Sequence, residues 1–120
     1  MLTIQIEEKY KYDEGVVDEG EFIKIFIKLE QTARTIILKT PIMISDEKIY
    51  TKEFLSFREM IVALYHREVI SKDFYNKLTE INKYRNLVVH GHVSQVDQKM
   101  YTMTESALDE LNRLFESLRR

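Results

Sequence analysis

An all-α bundle of four to five helices is the fold class this sequence predicts, and two observations carry the prediction. Chain breakers are scarce: one Pro and three Gly in 120 residues leave long uninterrupted stretches. Within those stretches apolar residues recur three and four positions apart, the period of a helix with one buried face.

The first residues stand apart from that pattern. LTIQIEE alternates apolar Leu2, Ile4 and Ile6 with Thr3 and Gln5, as a short strand does. DEGVVDEGE reads as an acidic loop hinged at Gly15 and Gly20. Residues 1 to 20 are therefore expected to form an N-terminal arm or strand, and residues 21 to 120 the helical domain. From 21 to 40, Phe22, Phe26, Leu29, Ala33, Ile36 and Ile37 mark one helical face, and Pro41 ends the element. The competing reading of this run is a strand in a hairpin with residues 2 to 12, since Ile23, Ile25, Ile27 and Leu29 also alternate and β-branched residues suit strands.

PIMISDEKIY is a connector with apolar anchors. Thr51 is the expected cap of a second helix, TKEFLSFREMIVALYHRE, whose buried stripe is Phe54, Phe57, Ile61, Leu64 and Tyr65. Ser71 opens a third helix with Asp73 in its first turn. Phe74, Leu78, Ile81 and Tyr84 or Arg85 lie along its inner face, and Gly91 is its natural stop. Thr104 or Glu105 is expected to open the last helix, with Leu108, Leu111, Leu114, Phe115 and Leu118 on its apolar side and Arg119 and Arg120 complementing its dipole.

Composition narrows the function. The absence of cysteine excludes disulfides, thiolate metal sites and cysteine nucleophiles, and suits a reducing compartment, so a cytoplasmic location is expected. MLTIQIEEKYKY lacks the basic start and apolar centre of a secretion signal, and no apolar run approaches the length of a membrane span. A net charge of -2 argues against a broad basic surface for nucleic acid but leaves room for a local one. Lys72, Lys77, Lys83, Arg85, Lys99 and Arg113 mostly have acidic neighbours and read as a solvated mixed surface. No HExxH, Walker-type glycine loop or GxSxG occurs, and the three His lack zinc spacing, so neither a metal nor a cofactor is expected. His66 reads as an exposed or half-buried helical residue.

The stretch that carries chemistry is YRNLVVHGH, residues 84 to 92. On a helix, residues four apart lie about 40° apart in projection and those five apart about 140°. Asn86 and His90 thus share a face, which Arg85 joins by extending its side chain or through a local break. Val88 and Val89, with Leu87 as a further candidate, are expected to enter the core and hold the polar group rigid. An imidazole can take the proton from a ribose 2′-hydroxyl or give one to the leaving 5′-oxygen, and a guanidinium can bind the phosphate and its growing charge. Asn86 would orient either. His92 is a candidate second imidazole for substrate binding, or a solvated loop residue. From spacing alone, capping of the helix end by Arg85 and His90 is the plainer reading.

The segment VISKDFYNKLTEINKYRNLVVHGHV resembles the signature of HEPN domains: a helix ending in R-N-x-x-x-H, followed by a final amphipathic helix. LEQTAR, residues 29 to 34, is similar to the first-helix pattern of that superfamily. The resemblance implies a small helical bundle, a homodimer and a metal-independent endoribonuclease of the toxin or defence type, acting on RNA at a composite cleft between protomers. It makes Arg85 the phosphate binder, His90 the proton-transfer residue, Asn86 the polar residue after the Arg, and Glu30 a supporting substrate-binding residue of the first helix. HEPN toxins paired with minimal nucleotidyltransferases read R-x4-H-x-Y, the Tyr receiving AMP. His92 stands at that position, so an antitoxin or nucleotidyltransferase partner would have to act otherwise. The alternative within the family is a non-catalytic module binding a nucleotide or a protein.

Overall fold

The stretch with two competing readings is a helix. In α1 (Glu19–Lys39) only the helical period gathers Phe22, Phe26, Leu29, Ala33, Ile36 and Ile37 on one side, and all six are buried. A strand would have turned half of them to water. The β-branched residues that favoured the strand are accommodated at the margins, with Ile23 and Ile25 half-buried and Ile27 exposed. Burial of large side chains, each favourable by about 1.5–3 kcal/mol, outweighs propensity differences of a few tenths.

A computed structural model of the chain describes residues 16 to 39 and 55 to 118. The expected strand pattern at residues 2 to 6, the connector from Pro41, the proposed cap Thr51 and the terminal Arg119 and Arg120 lie outside the described residues. The stretch read as an acidic loop is corrected at two places: Val16–Val17 form β1, and Gly20 lies within the first turn of α1.

Helix α2 (Phe57–His66) is capped by Ser56. The Glu59 N–H donates to Ser56 Oγ at 3.1 Å and the Ser56 N–H donates to Glu59 Oε1 at 2.9 Å, a reciprocal capping box. Of the expected stripe Phe54 lies outside the described residues, Phe57, Ile61 and Leu64 are buried, and Tyr65 packs beside them. The chain turns back through Arg67 to Ile70 into α3 (Lys72–Val89), where Ser71 Oγ accepts from the Phe74 N–H at 3.1 Å as expected. The last helix, α4 (Gln98–Leu118), starts six residues before the expected Thr104. Asp97 Oδ1 accepts from the Lys99 N–H at 3.0 Å and caps it there. Thr104 lies buried inside the helix, its hydroxyl donated to the Met100 carbonyl at 2.8 Å.

These four helices form the all-α bundle. Leu29, Ala33 and Ile36 of α1, Met60 and Leu64 of α2, Leu78 and Ile81 of α3, and Ala107 and Leu111 of α4 meet in one core. The Arg34 Nη2 donates to the Leu55 carbonyl at 3.1 Å and fixes the approach to α2. At one end of the bundle β1 pairs antiparallel with β2 (Val96–Asp97), Val16 opposite Asp97 and Val17 opposite Val96. A smaller core of Phe22, Val88 and Val96, with Tyr84 and Tyr101 beside it, fills the space under this ladder. It supports the end of α3 that carries YRNLVVHGH. Among the described residues no helix is long and apolar enough to cross a membrane.

Candidate functional site

The end of α3 is closed by its own backbone. The His92 N–H donates to the Leu87 carbonyl at 2.9 Å and the Gly91 N–H to the Val88 carbonyl at 3.1 Å, a Schellman motif. Its middle residue must be left-handed, and Gly91 has φ +78°. The Leu87 and Val88 carbonyls are met in this way and do not depend on Arg85 or His90 as caps. Arg85 Nη1 donates instead to Asn86 Oδ1 at 2.9 Å, and the His90 imidazole makes no hydrogen bond among the described residues. His90 occupies the C-cap, with its own N–H bonded to the Asn86 carbonyl at 3.0 Å.

The anchoring differs from expectation. Val88 is buried at 4 % exposure, while Leu87 and Val89 are 45 % and 56 % exposed. Residues 87 and 89 are each rotated by about 100° from Val88, and the inner stripe of α3 is narrow enough to take only the middle one. Rigidity comes from elsewhere. The Asp97 N–H donates to the Tyr84 hydroxyl at 2.8 Å, tying α3 to β2. The Tyr84 ring meets Phe22 edge-on at 5.5 Å.

Arg85 is held in the same manner. Its guanidinium carbon lies 4.8 Å from the centroid of the Phe26 ring, and that ring packs edge-on against Phe57 at 5.0 Å. The stack gives the cation a fixed platform while its hydrogen bond to Asn86 sets its direction. From this platform it faces a groove of about 410 Å³ between α2 and α3.

Antiparallel pairing of α2 and α3 sorts the groove into two ends. Arg58 and Ser56 at the start of α2 lie near Asn82, Lys83, Arg85 and Asn86 on the later turns of α3; Val62, Thr79 and Tyr75 line the other end. No acidic side chain lines the groove among the described residues. None of Arg58, Lys83 and Arg85 forms an ion pair among those residues, whereas Lys77, further back on α3, bonds Ser106 at 2.9 Å and approaches Glu110 at 4.0 Å. Lys83 and Arg85 thus leave the neutralised mixed surface to which the sequence assigned them.

The predicted site residues are only partly brought together. Arg85 and Asn86 share the groove. His90 lies one turn beyond Asn86 on the same face, exposed and outside the groove lining, and His92 is exposed past the Schellman turn. Glu30 is half-buried on α1, one turn after Phe26, and makes no hydrogen bond or ion pair among the described residues. His66 is exposed. Among the described residues no group of three or more His, Asp or Glu side chains could hold a metal ion.

Sequence reasoning missed Phe26 as the platform and Arg58, Asn82 and Lys83 as groove residues. A signal was present on α3: Tyr75, Thr79, Asn82, Asn86 recur at helical spacing as a second, polar stripe beside the core stripe. Neither family models, curated proteins nor solved structures match the chain.

Proposed function

We propose that the protein is a metal-independent endoribonuclease of HEPN type, acting as a homodimer in a toxin or defence role. The single observation that carries this reading is the setting of Arg85: a guanidinium stacked on Phe26, steered by Asn86 and turned to a groove without acids among the described residues. A cation set in this way supports phosphate binding.

In this reading the ribose 2′-oxygen attacks phosphorus while the bond to the 5′-oxygen breaks, leaving a 2′,3′-cyclic phosphate and a 5′-hydroxyl. Arg85 binds the phosphate oxygens, whose charge grows in the transition state. His90 moves a proton, either from the 2′-hydroxyl or to the 5′-oxygen. One imidazole does not serve both ends of a concerted step, so a second protomer supplies the other. The exposed Leu87 and Val89, on either side of buried Val88, support an interface between copies at this end of α3.

The test is incubation of the pure protein with structured RNA in EDTA, beside Arg85→Ala and His90→Ala. Cleavage by the wild type that both substitutions abolish is the expected result; an inert wild type, or variants as active as it, overturns the reading. A second reading has its own observation. His90 lies outside the groove that holds Arg85, which favours a non-catalytic HEPN module that binds nucleotide or a protein such as a nucleotidyltransferase. It predicts a folded, inactive dimer that retains RNA or nucleotide affinity.

A further inference from the structure

The ribonuclease reading uses one cation of the groove and leaves two unused. Arg58 projects from the first turn of α2 and Lys83 from α3, both exposed at the surface and both lining the same end of the groove as Arg85. Three like charges gathered at one end of the groove, from both of its walls, repel one another, no acidic side chain lines the groove with them, and none of the three forms an ion pair among the described residues. That arrangement is costly unless an anion relieves it. One phosphate on Arg85 does not need the other two.

The remainder of the groove is of a different character. At the end away from the cations stand Val62 and the ring of Tyr75, which is fixed by stacking on Tyr65 at 4.7 Å and 28°. Asn82 lies between the two ends, one helical turn before Asn86, and its amide forms no hydrogen bond among the described residues. The Thr79 hydroxyl donates to the Tyr75 carbonyl at 2.8 Å, which leaves its oxygen lone pairs to accept. A volume of about 410 Å³ falls in the range of about 300–1,000 Å³ typical of small-ligand sites, larger than a lone phosphate needs.

We infer that the α2–α3 groove is a nucleotide subsite of single-stranded RNA: Arg58 and Lys83 hold the phosphate next to the one on Arg85, and the base of that nucleotide lies toward Tyr75 with its edge against the Asn82 amide. The inference rests on the ribonuclease reading for which phosphate is cleaved, but not for whether the groove binds RNA. It divides the groove into a part that fixes affinity and a part that reads sequence. Phosphate contacts carry no base information, whereas an amide donor and acceptor beside a base edge does. The subsite makes the protein prefer particular bases flanking the cut.

The experiment is fluorescence anisotropy of labelled single-stranded octamers of U, A and C at several salt concentrations, with wild type, Arg58→Gln, Lys83→Gln and Asn82→Ala. All three positions are solvent-accessible, and melting curves check that the variants fold. Arg58→Gln and Lys83→Gln are expected to weaken all three octamers alike, each lowering the slope of log affinity against log salt by a part of the roughly 0.7 that one phosphate contact on a single strand contributes. Asn82→Ala is expected to leave that slope unchanged and to shift the ranking of the octamers. The subsite is overturned if the wild type fails to bind at low salt, if Arg58→Gln and Lys83→Gln bind with wild-type affinity and slope, or if Asn82→Ala keeps the ranking.

Cleavage in EDTA, measured on the same proteins, separates the two claims. Binding that responds as described in a protein that never cleaves leaves the subsite standing and removes the ribonuclease. Cleavage by the wild type together with unaltered binding by the Arg58 and Lys83 variants does the reverse.

Discussion

Replacing Phe26 by Leu tests how the fold holds Arg85. The ring is 2 % exposed, packs edge-on against Phe57 at 5.0 Å and carries the Arg85 guanidinium 4.8 Å from its centroid. Leucine refills most of the volume, so the loss is chiefly the aromatic pair, about 0.5–1.5 kcal/mol, and the cation–π contact, about 0.5–1 kcal/mol for a partly exposed cation. A small residual void brings the total to about 2 kcal/mol. For a chain of this size that lowers the melting temperature by roughly 10 °C.

The assay is urea unfolding of a double-mutant cycle, with Arg85→Met as the second arm because methionine keeps the apolar stem and removes the charge. A coupling of about 0.5–1 kcal/mol between the two positions is expected. Additive effects within about 0.2 kcal/mol would show that the ring does not hold the guanidinium, and the stacked platform would have to be abandoned.

The turn after α2 is a second Schellman motif, the Val69 N–H donating to the Leu64 carbonyl and the Glu68 N–H to the Tyr65 carbonyl, both at 2.9 Å, and the two turns make a matched pair of predictions. The α2–α3 turn has Glu68 at φ +61° where α3 ends with Gly91 at φ +78°, so Glu68→Gly should stabilise by about 0.5–1 kcal/mol and Gly91→Ala destabilise by about 1 kcal/mol in thermal melts. Open space around a Cβ at Gly91 means that any cost there is conformational rather than steric. Tyr84→Phe removes the acceptor of the Asp97 N–H and is expected to cost about 1 kcal/mol, with faster hydrogen exchange at the Asp97 amide as its local sign. Burial, then the charges of Glu105 and Glu21, raise the pKa of the Tyr101 phenol above its ordinary value of 10.0. The folded state therefore holds that proton longer than the unfolded chain: the contribution is present in full below pH 10 and is lost as pH rises through the raised value. Tyr101→Phe should flatten the alkaline limb of the stability curve, and in absorbance titration it should remove a phenol that ionises above the ordinary value of 10.0; an unchanged limb would contradict the assignment.

Much of the architecture was legible because single residues settle it. Ser71, the stripe Phe74, Leu78, Ile81 and the terminal Gly91 define α3 to within a residue or two, since cap, period and stop agree. The start of α2 is legible in Ser56 and Glu59, which spell a capping box, but Thr51 offers an earlier polar cap and a longer apolar pattern that compete with it. The start of α4 was not legible from its apolar side alone. Asp97 caps it by position, while Thr104 is a good cap residue that ends up inside the helix with its hydroxyl on a backbone carbonyl.

At the site, the pairing of Arg85 with Asn86 was within reach of spacing, and the location of the groove was not. Its other wall belongs to α2, more than twenty residues earlier in the chain, and only the packing of helices decides that Arg58 stands near Lys83. Phe26 reads as core in any pattern analysis. Its second use, as a support for a cation, exists only once α1 and α3 are in contact.

If Arg85 and His90 act as proposed, RNA is cleaved through its own 2′-hydroxyl. The most direct measurement uses a DNA oligonucleotide carrying a single ribonucleotide, incubated with the wild-type protein in EDTA, followed by identification of the product ends. One cut is expected, 3′ to the ribonucleotide, with a 2′,3′-cyclic phosphate on one product and a 5′-hydroxyl on the other, and no cut with His90→Ala. Cleavage at deoxynucleotides, a 5′-phosphate product, or cleavage that survives His90→Ala would contradict it.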